Sequence, residues 1–397
     1  MRLLFLAAAL AAFPAFAQTT DVSDLIAENG LRATESQLVG LADPTPSDGF
    51  ALGGIRFLGA IETALQTRYR TGMYGDIVML TGIPFLRLPI PENPSPDPFD
   101  PVVIEEMFGQ ILNDMDGALM SLDGISDDDV VSVRFDTSDL WFDIDANGQR
   151  DPGEAVFEVL ATMLGVRAEV DAPLVIQFDT ADAAWLSAYA HLLSGVSEVV
   201  LAFQPAEPVR EVLASASDLS VLNPPVPGGD DFDARFGTYA DLITILVAAI
   251  EQQPLPERTQ AAHGHFLEMV ADNRVFWQRV ARETDNDAEW IPNKSQTSAL
   301  PVDFPADTGR RWLAVLSEAE ALLNGDLLIP HWRMGDAAGI NLSLLMDDPP
   351  PVDIVGFVQG MSLLPNAEQG PLIQGQSLRL FSELVGGNAG LFMVLLN

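Results

Sequence analysis

The chain contains no cysteine, and that fact limits how a protein of this kind is held together. Residues 1–17 read as an export signal. Arg2 is followed by an apolar stretch from Leu3 to Phe13 and by Ala15-Phe16-Ala17 as a small-residue cleavage site, so the mature chain is expected to start at Gln18. Exported proteins usually have disulfides to draw on. Without them, or the cysteine a lipoprotein needs, this fold must rest on a large hydrophobic core, with a bound ion as the other available clip. The composition allows such a core: 48% of the 397 residues are hydrophobic, and 28 Pro and 31 Gly spread along the chain call for many turns.

Charge narrows the function classes. Twenty Lys+Arg against 57 Asp+Glu give a net charge of −37, a surface that repels a phosphate backbone, so no nucleic-acid partner is expected. After the leader, the most apolar stretches are 242–250 (LITILVAAI) and 391–396 (LFMVLL). Both are shorter than the roughly 20 residues of a bilayer helix and read as core, so no transmembrane segment is expected after cleavage. The expected location is periplasmic or secreted.

Hydrophobic spacing predicts a mostly helical chain. Phe50, Leu52, Ile55, Leu58, Ile61 and Leu65 recur at helical intervals over 47–70 behind a Ser47-Asp48 cap, and Ile104, Met107, Ile111, Met115, Leu119 and Leu122 do so over 103–122. Between these helices, residues 88–101 hold six prolines and must be extended. Residues 130–135 (VVSVRF) and 174–178 (LVIQF) read as short strands, and further helices are expected from Trp185 to before Pro205 and over 236–252, 256–283 and 307–323. The fold class is therefore mainly α (α+β), a multi-helix protein with a few short strands. The signal at 1–17 is followed by a helical region at 18–222, a linker or mobile loop at 223–233 (NPPVPGGDDFD) and a helical region at 234–397 with a turn-rich C-terminal part.

One segment carries chemistry. Residues 143–154 read Asp143-Ile144-Asp145-Ala146-Asn147-Gly148-Gln149-Arg150-Asp151-Pro152-Gly153-Glu154. Ca²⁺ is a hard cation that takes six to eight oxygens, and this run supplies oxygen-bearing groups at alternate positions around a glycine. It resembles the twelve-position loop of the EF-hand calcium-binding family. The resemblance implies Asp143, Asp145 and Asn147 as side-chain ligands, Gln149 through its backbone carbonyl, Asp151 through a water, and Glu154 with both oxygens, with Gly148 at the sharp turn. It also implies a helix after the loop, over 153–164, with Asp151-Pro152 as cap and first turn. Two departures set this loop apart: Arg150 stands where paired loops carry an aliphatic residue, and only 137–142 remains for the incoming helix. No second loop matches. The resemblance thus covers about twenty residues and is similar to an isolated structural site more than to a sensor.

Other polar groups carry weaker signals. The run from Glu283 to Trp290 with Asp285, Asp287 and Glu289 reads as a solvated helix end, with a second cation site or an acid/base pair as the functional alternative. Asp127-Asp128-Asp129 reads as a solvated turn. His263 and His265 are two apart on one helix and point to different faces, so they cannot grip one metal together. His191 lies among apolar residues as a core or boundary histidine, and His331 has Trp332 and Arg333 beside it as pocket-lining candidates. No motif for a serine or cysteine nucleophile, a zinc protease or a nucleotide-binding loop occurs, so no catalytic residue is assigned. The sequence reads as a secreted or periplasmic calcium-binding protein with a structural Ca²⁺. The alternative is a calcium-stabilised hydrolase using carboxylates such as Asp285, Glu289 or a residue near His331. A protein or envelope partner is left open.

Overall fold

The computed structural model describes residues 22–73, 88–156, 174–220, 231–351 and 353–396. The leader at 1–17, most of the helix expected over 153–164, and residues 223–230 of the expected linker lie outside them. Of the described residues 58% are helical, in twelve α-helices with five short strands, so the chain is mainly α.

The first three helices build one core. Helix α1 (Val22–Val39) bends at Gly30, whose φ of 75° puts it in the left-handed region. The ring of Trp141 fills the bend, so close that a Cβ on Gly30 would lie 3.1 Å from it. Helix α2 (Pro46–Thr71) begins one residue before the expected Ser47-Asp48 cap. The cap is Thr45, and Asp48 is the third helical residue of a capping box that Pro46 opens. After Gly72 the proline-rich segment turns back on the helix it has left: Asn93 Nδ2 donates to the Tyr69 carbonyl at 2.9 Å and the Asp97 N–H to that of Arg70 at 2.8 Å. Helix α3 (Val102–Leu122) then lays Phe108, Ile111 and Met115 against α2. Each such fully buried side chain contributes about 1.5–3 kcal/mol by leaving water.

Strands β1 (Ser132–Asp136) and β2 (Val175–Asp179) pair antiparallel with Val133 opposite Phe178. No helix enters the loop at 143–154. Residues 137–139 form a turn, and Trp141 makes an antiparallel bridge with Ala155. The expected incoming helix at 137–142 is absent because Leu140, Trp141 and Phe142 are all buried, as they are in an extended segment pressed into the core and not on a one-faced helix. The helix after the loop starts no earlier than Val156, since Gly153 has φ 93° and Ala155 belongs to the bridge.

Helix α4 (Thr180–Ala202) follows β2 directly. It packs on α3 and, more extensively, on α7 (Pro256–Val280), which ends three residues short of the expected 283. Its Ala183, Leu186, Tyr189 and Leu193 belong to the first core, while Ala181 and Ala184 belong to a second. Between α4 and α7 in sequence, α5 (Ala206–Ser220) and α6 (Asp231–Ile250) pack on each other. The apolar run at 242–250 is not the buried segment its composition suggests: Leu242 is buried, but Ile243 and Ile250 are exposed.

The second core gathers α7, α8 (Thr308–Leu323) and the terminal helices α11 (Gln376–Leu384) and α12 (Ala389–Leu396) around Phe276, Trp312, Phe381, Phe392 and Leu396. Buried Asn273 ties three elements together: its Oδ1 accepts from Trp312 Nε1 at 3.0 Å and its Nδ2 donates to the Leu396 carbonyl at 2.6 Å. A small sheet of β3 (Ile329–Pro330), β4 (Ala338–Ile340) and β5 (Ala367–Gln369) lies in the turn-rich part, with the short helices α9 (Leu342–Asp347) and α10 (Ile354–Gln359). No single helix among the described residues is long and apolar enough to cross a membrane.

Candidate metal centre

The 143–154 loop is pinned at its base by backbone pairs, Phe142 N–H to the Glu154 carbonyl at 2.9 Å and Val156 N–H to that of Leu140 at 3.0 Å. Trp141 Nε1 donates to the Ile26 carbonyl at 2.9 Å, and Ile144 is wholly buried, so one side of the loop is part of the first core. The other side turns back through Ala146 and Gly148, at φ 59° and 76°. Asp143 receives the N–H groups of Asn147 at 2.9 Å and Gly148 at 3.0 Å, and Asp145 Oδ1 receives that of Asn147 at 3.1 Å. These bonds face the carboxylates inward.

The result is a knot of oxygens. One carboxylate oxygen each from Asp143, Asp145 and Glu154 lies within 4.8 Å of the others. Glu154 is 1% exposed, and its two oxygens accept from Ile144 N–H at 2.7 Å and Asp151 N–H at 2.8 Å, with the Asp145 N–H as a third backbone donor. Asp151 stands outside this close trio. It is linked to it by Asn147, whose Nδ2 donates to Asp145 at 2.9 Å and Asp151 at 2.6 Å while its Oδ1 accepts from Gln149 N–H at 2.7 Å. The Asn147 amide therefore presents nitrogen to the carboxylates, and liganding a cation requires it to turn its oxygen inward. Gln149 itself is exposed.

Two residues under the loop escaped the sequence reading. Glu62 of α2, 1% exposed, accepts the Asp143 N–H at 3.0 Å, and Gln66 one turn on donates to the Asp143 carbonyl at 2.7 Å. Burial pushes the Glu62 carboxyl up to about 7, against the pull of the Asp143 N–H and of Arg32. Burial raises Glu154 as well, against the backbone N–H groups of Asp151, Ile144 and Asp145 that it accepts. A signal for Glu62 did exist: it falls four residues after Leu58 and three before Leu65, on the apolar face, where a charge needs a reason.

The run at 283–290 is not a solvated helix end alone. It folds back so that Glu283 and Glu289 meet Asp179, the N-cap of α4, with oxygens within 4.8 Å of one another. Asp182, at the third helical position, is nearly buried beneath and accepts the Asp179 N–H at 2.9 Å. Burial and then the Asp179 charge push Glu283 up to about 8, while burial raises Asp179, Asp182 and Glu289. The unfavourable position after α7 is offset by the start of α4, where the helix dipole favours negative charge. Asp285 is exposed and Glu289 is buried.

The remaining candidates separate. His331 stacks by Trp332, whose ring is two-thirds exposed under the Arg333 guanidinium, so the trio lies on the surface. Asp127 is not merely solvated but ion-paired with Arg279 and Arg282 at 2.8 and 3.2 Å. His263 and His265 do part company, the first bonding the Leu323 carbonyl at 2.9 Å and the second reaching His191. Comparison of the chain with protein-family models, with curated proteins and with solved structures found no match.

Proposed function

We propose that this is a calcium-binding protein acting in the periplasm or outside the cell, in which one Ca²⁺ held by 143–154 is a structural element. The observation that carries the reading is the inward convergence of Asp143, Asp145 and Glu154 on a loop whose turn, base and buried flank are already formed. The donors are all oxygen, which suits a hard cation and not a thiophilic one. Asp143, Asp145, Asn147, the Gln149 carbonyl and Glu154 would hold the ion, with Asp151 acting through water. The ion supplies charge neutralisation: three carboxylates in so small a volume repel one another, and Glu154 is buried as well. Because Ile144 and Trp141 seat the loop in the first core, the free energy of binding would pass directly into fold stability.

The test is a thermal melt of the full chain with chelator, with Ca²⁺ and with excess Mg²⁺, beside Asp145→Ala and Glu283→Gln. A saturable, Ca²⁺-specific rise in midpoint that Asp145→Ala loses and Glu283→Gln keeps supports the reading. No rise, or an equal rise in Asp145→Ala, overturns it. A rise lost only in Glu283→Gln would move the ion to the Asp179 cluster and overturn the assignment to the loop.

A further inference from the structure

Where α4 packs on α7, two imidazoles from opposite helices meet. His191 Nδ1 and His265 Nδ1 are 2.9 Å apart, with ring centroids at 5.2 Å. At that distance one nitrogen carries the proton and the other offers its lone pair. Asp272 biases which: its Oδ2 lies 3.9 Å from His191 Nε2, an electrostatic contact beyond hydrogen-bond reach, and accepts from Ser187 Oγ at 2.5 Å. A carboxylate there favours a proton on Nε2, and so a free lone pair on His191 Nδ1. Burial first, and His265 second, hold the His191 imidazole below its ordinary value and so neutral near pH 7, although Glu268 and Asp116 pull the other way. The pair is also reachable. His191 lines a cleft of about 430 Å³ with Glu268 and Asp272, and His265 lines a second of about 590 Å³ with Asp116 and Glu198.

We propose that His191 and His265 form a two-nitrogen anchor for a divalent transition metal ion, Cu²⁺ in first place, which takes the place of the Nδ1 proton of His265, that proton moving to His265 Nε2 so that both rings stay neutral. Bonds of 2.0–2.1 Å to nitrogens 2.9 Å apart subtend about 90° at the metal. That is the angle between neighbours in a tetragonal site, as Cu²⁺ prefers, and narrower than a tetrahedral Zn²⁺ site needs. Water completes the shell, and Asp272 is a positioning residue whose charge biases the His191 tautomer. The site is independent of the calcium loop, being built from nitrogens on a different pair of helices.

The experiment titrates Cu²⁺ into the tag-free full chain under saturating Ca²⁺, so that oxygen-only sites are filled, and reads paramagnetic resonance. The expected result is one tight equivalent split by two nitrogens, retained in Asp145→Ala. It is lost in the double variant His191→Gln with His265→Gln, and about tenfold weaker in Asp272→Asn. Absence of a tight equivalent, an oxygen-only spectrum, or a nitrogen pattern that survives the double variant would overturn the proposal. Should the variants not fold, the nitrogen count on the wild-type chain decides by itself.

Discussion

The carboxylate of Glu62 accepts the backbone N–H of Asp143 at 3.0 Å, across 81 residues of sequence. The first position of the loop therefore rests on a buried acid from the middle of α2, and loop and core share one electrostatic balance.

That balance predicts a pH effect. The folded state raises the Glu62 pKa above its ordinary value to about 7, so it binds the proton more tightly than the unfolded chain does. Its penalty is absent below pH 4.5 and grows as pH rises through 7. In chelator, Glu62→Gln should leave stability unchanged at pH 4.5 and raise it by about 1–3 kcal/mol at pH 8. Urea midpoints at the two pH values check this, and an equal effect at both would contradict it.

Glu283 should act in the same sense in a later window. With its carboxyl held at about 8 beside Asp179, stability falls between pH 4.5 and 8 as both states lose the proton at different points. Glu283→Gln should flatten that fall in thermal melts taken at half-unit intervals, while keeping the side chain's bond to Gln296 available. A steeper fall in the variant would show that the charge is stabilising.

Gly148 isolates the backbone of the loop. Its φ is 76° and nothing lies within 4 Å of a built Cβ, so Gly148→Ala meets no neighbour and only conformational strain. The expected loss is about 1 kcal/mol, with Asn in place of Ala losing less. Gly30→Ala should lose more, because its left-handed φ is joined by contact with the Trp141 ring. Chemical denaturation of the three variants ranks them.

Asn273→Ala removes one side chain and leaves two buried partners, the Trp312 N–H and the Leu396 carbonyl. Each unsatisfied group costs about 1–3 kcal/mol, so the variant should unfold several degrees lower. Tryptophan fluorescence should also report water reaching Trp312. A wild-type midpoint would mean that the terminal helix is held by its apolar face alone.

What the sequence shows of this fold depends on distance along the chain. Helices α2, α3 and α8 follow from apolar residues three and four apart, and their ends fall within one residue of expectation because caps and prolines are local. Helix α1 escaped the reading: Asn29-Gly30 interrupts it and its apolar positions are sparse, since its bend is fixed by Trp141, more than a hundred residues away. Helix α5 was passed over although Val209, Val212, Leu213 and Ala216 recur at helical spacing and could have announced it. The proposed ligands of the loop lie within twelve residues, so the resemblance to an EF-hand loop is enough to suggest them. Asp179 and Asp182 lie about a hundred residues from Glu283 and Glu289, and no local pattern announces that the end of α7 returns to the start of α4. The helix implied before the loop gave way because Leu140, Trp141 and Phe142 need burial on both sides of the chain.

Helix α4 belongs to both cores, with Ala183 and Leu186 on one side and Ala181 and Ala184 on the other. Neither core has its full wall without it. A chain severed at 223–233 should therefore not yield two autonomous pieces: the C-terminal fragment would present an open groove along α7, and the N-terminal fragment carries the helix that fills it. Co-expressed, the halves should find each other and restore one particle, which makes that position a natural place to split the molecule for a complementation reporter.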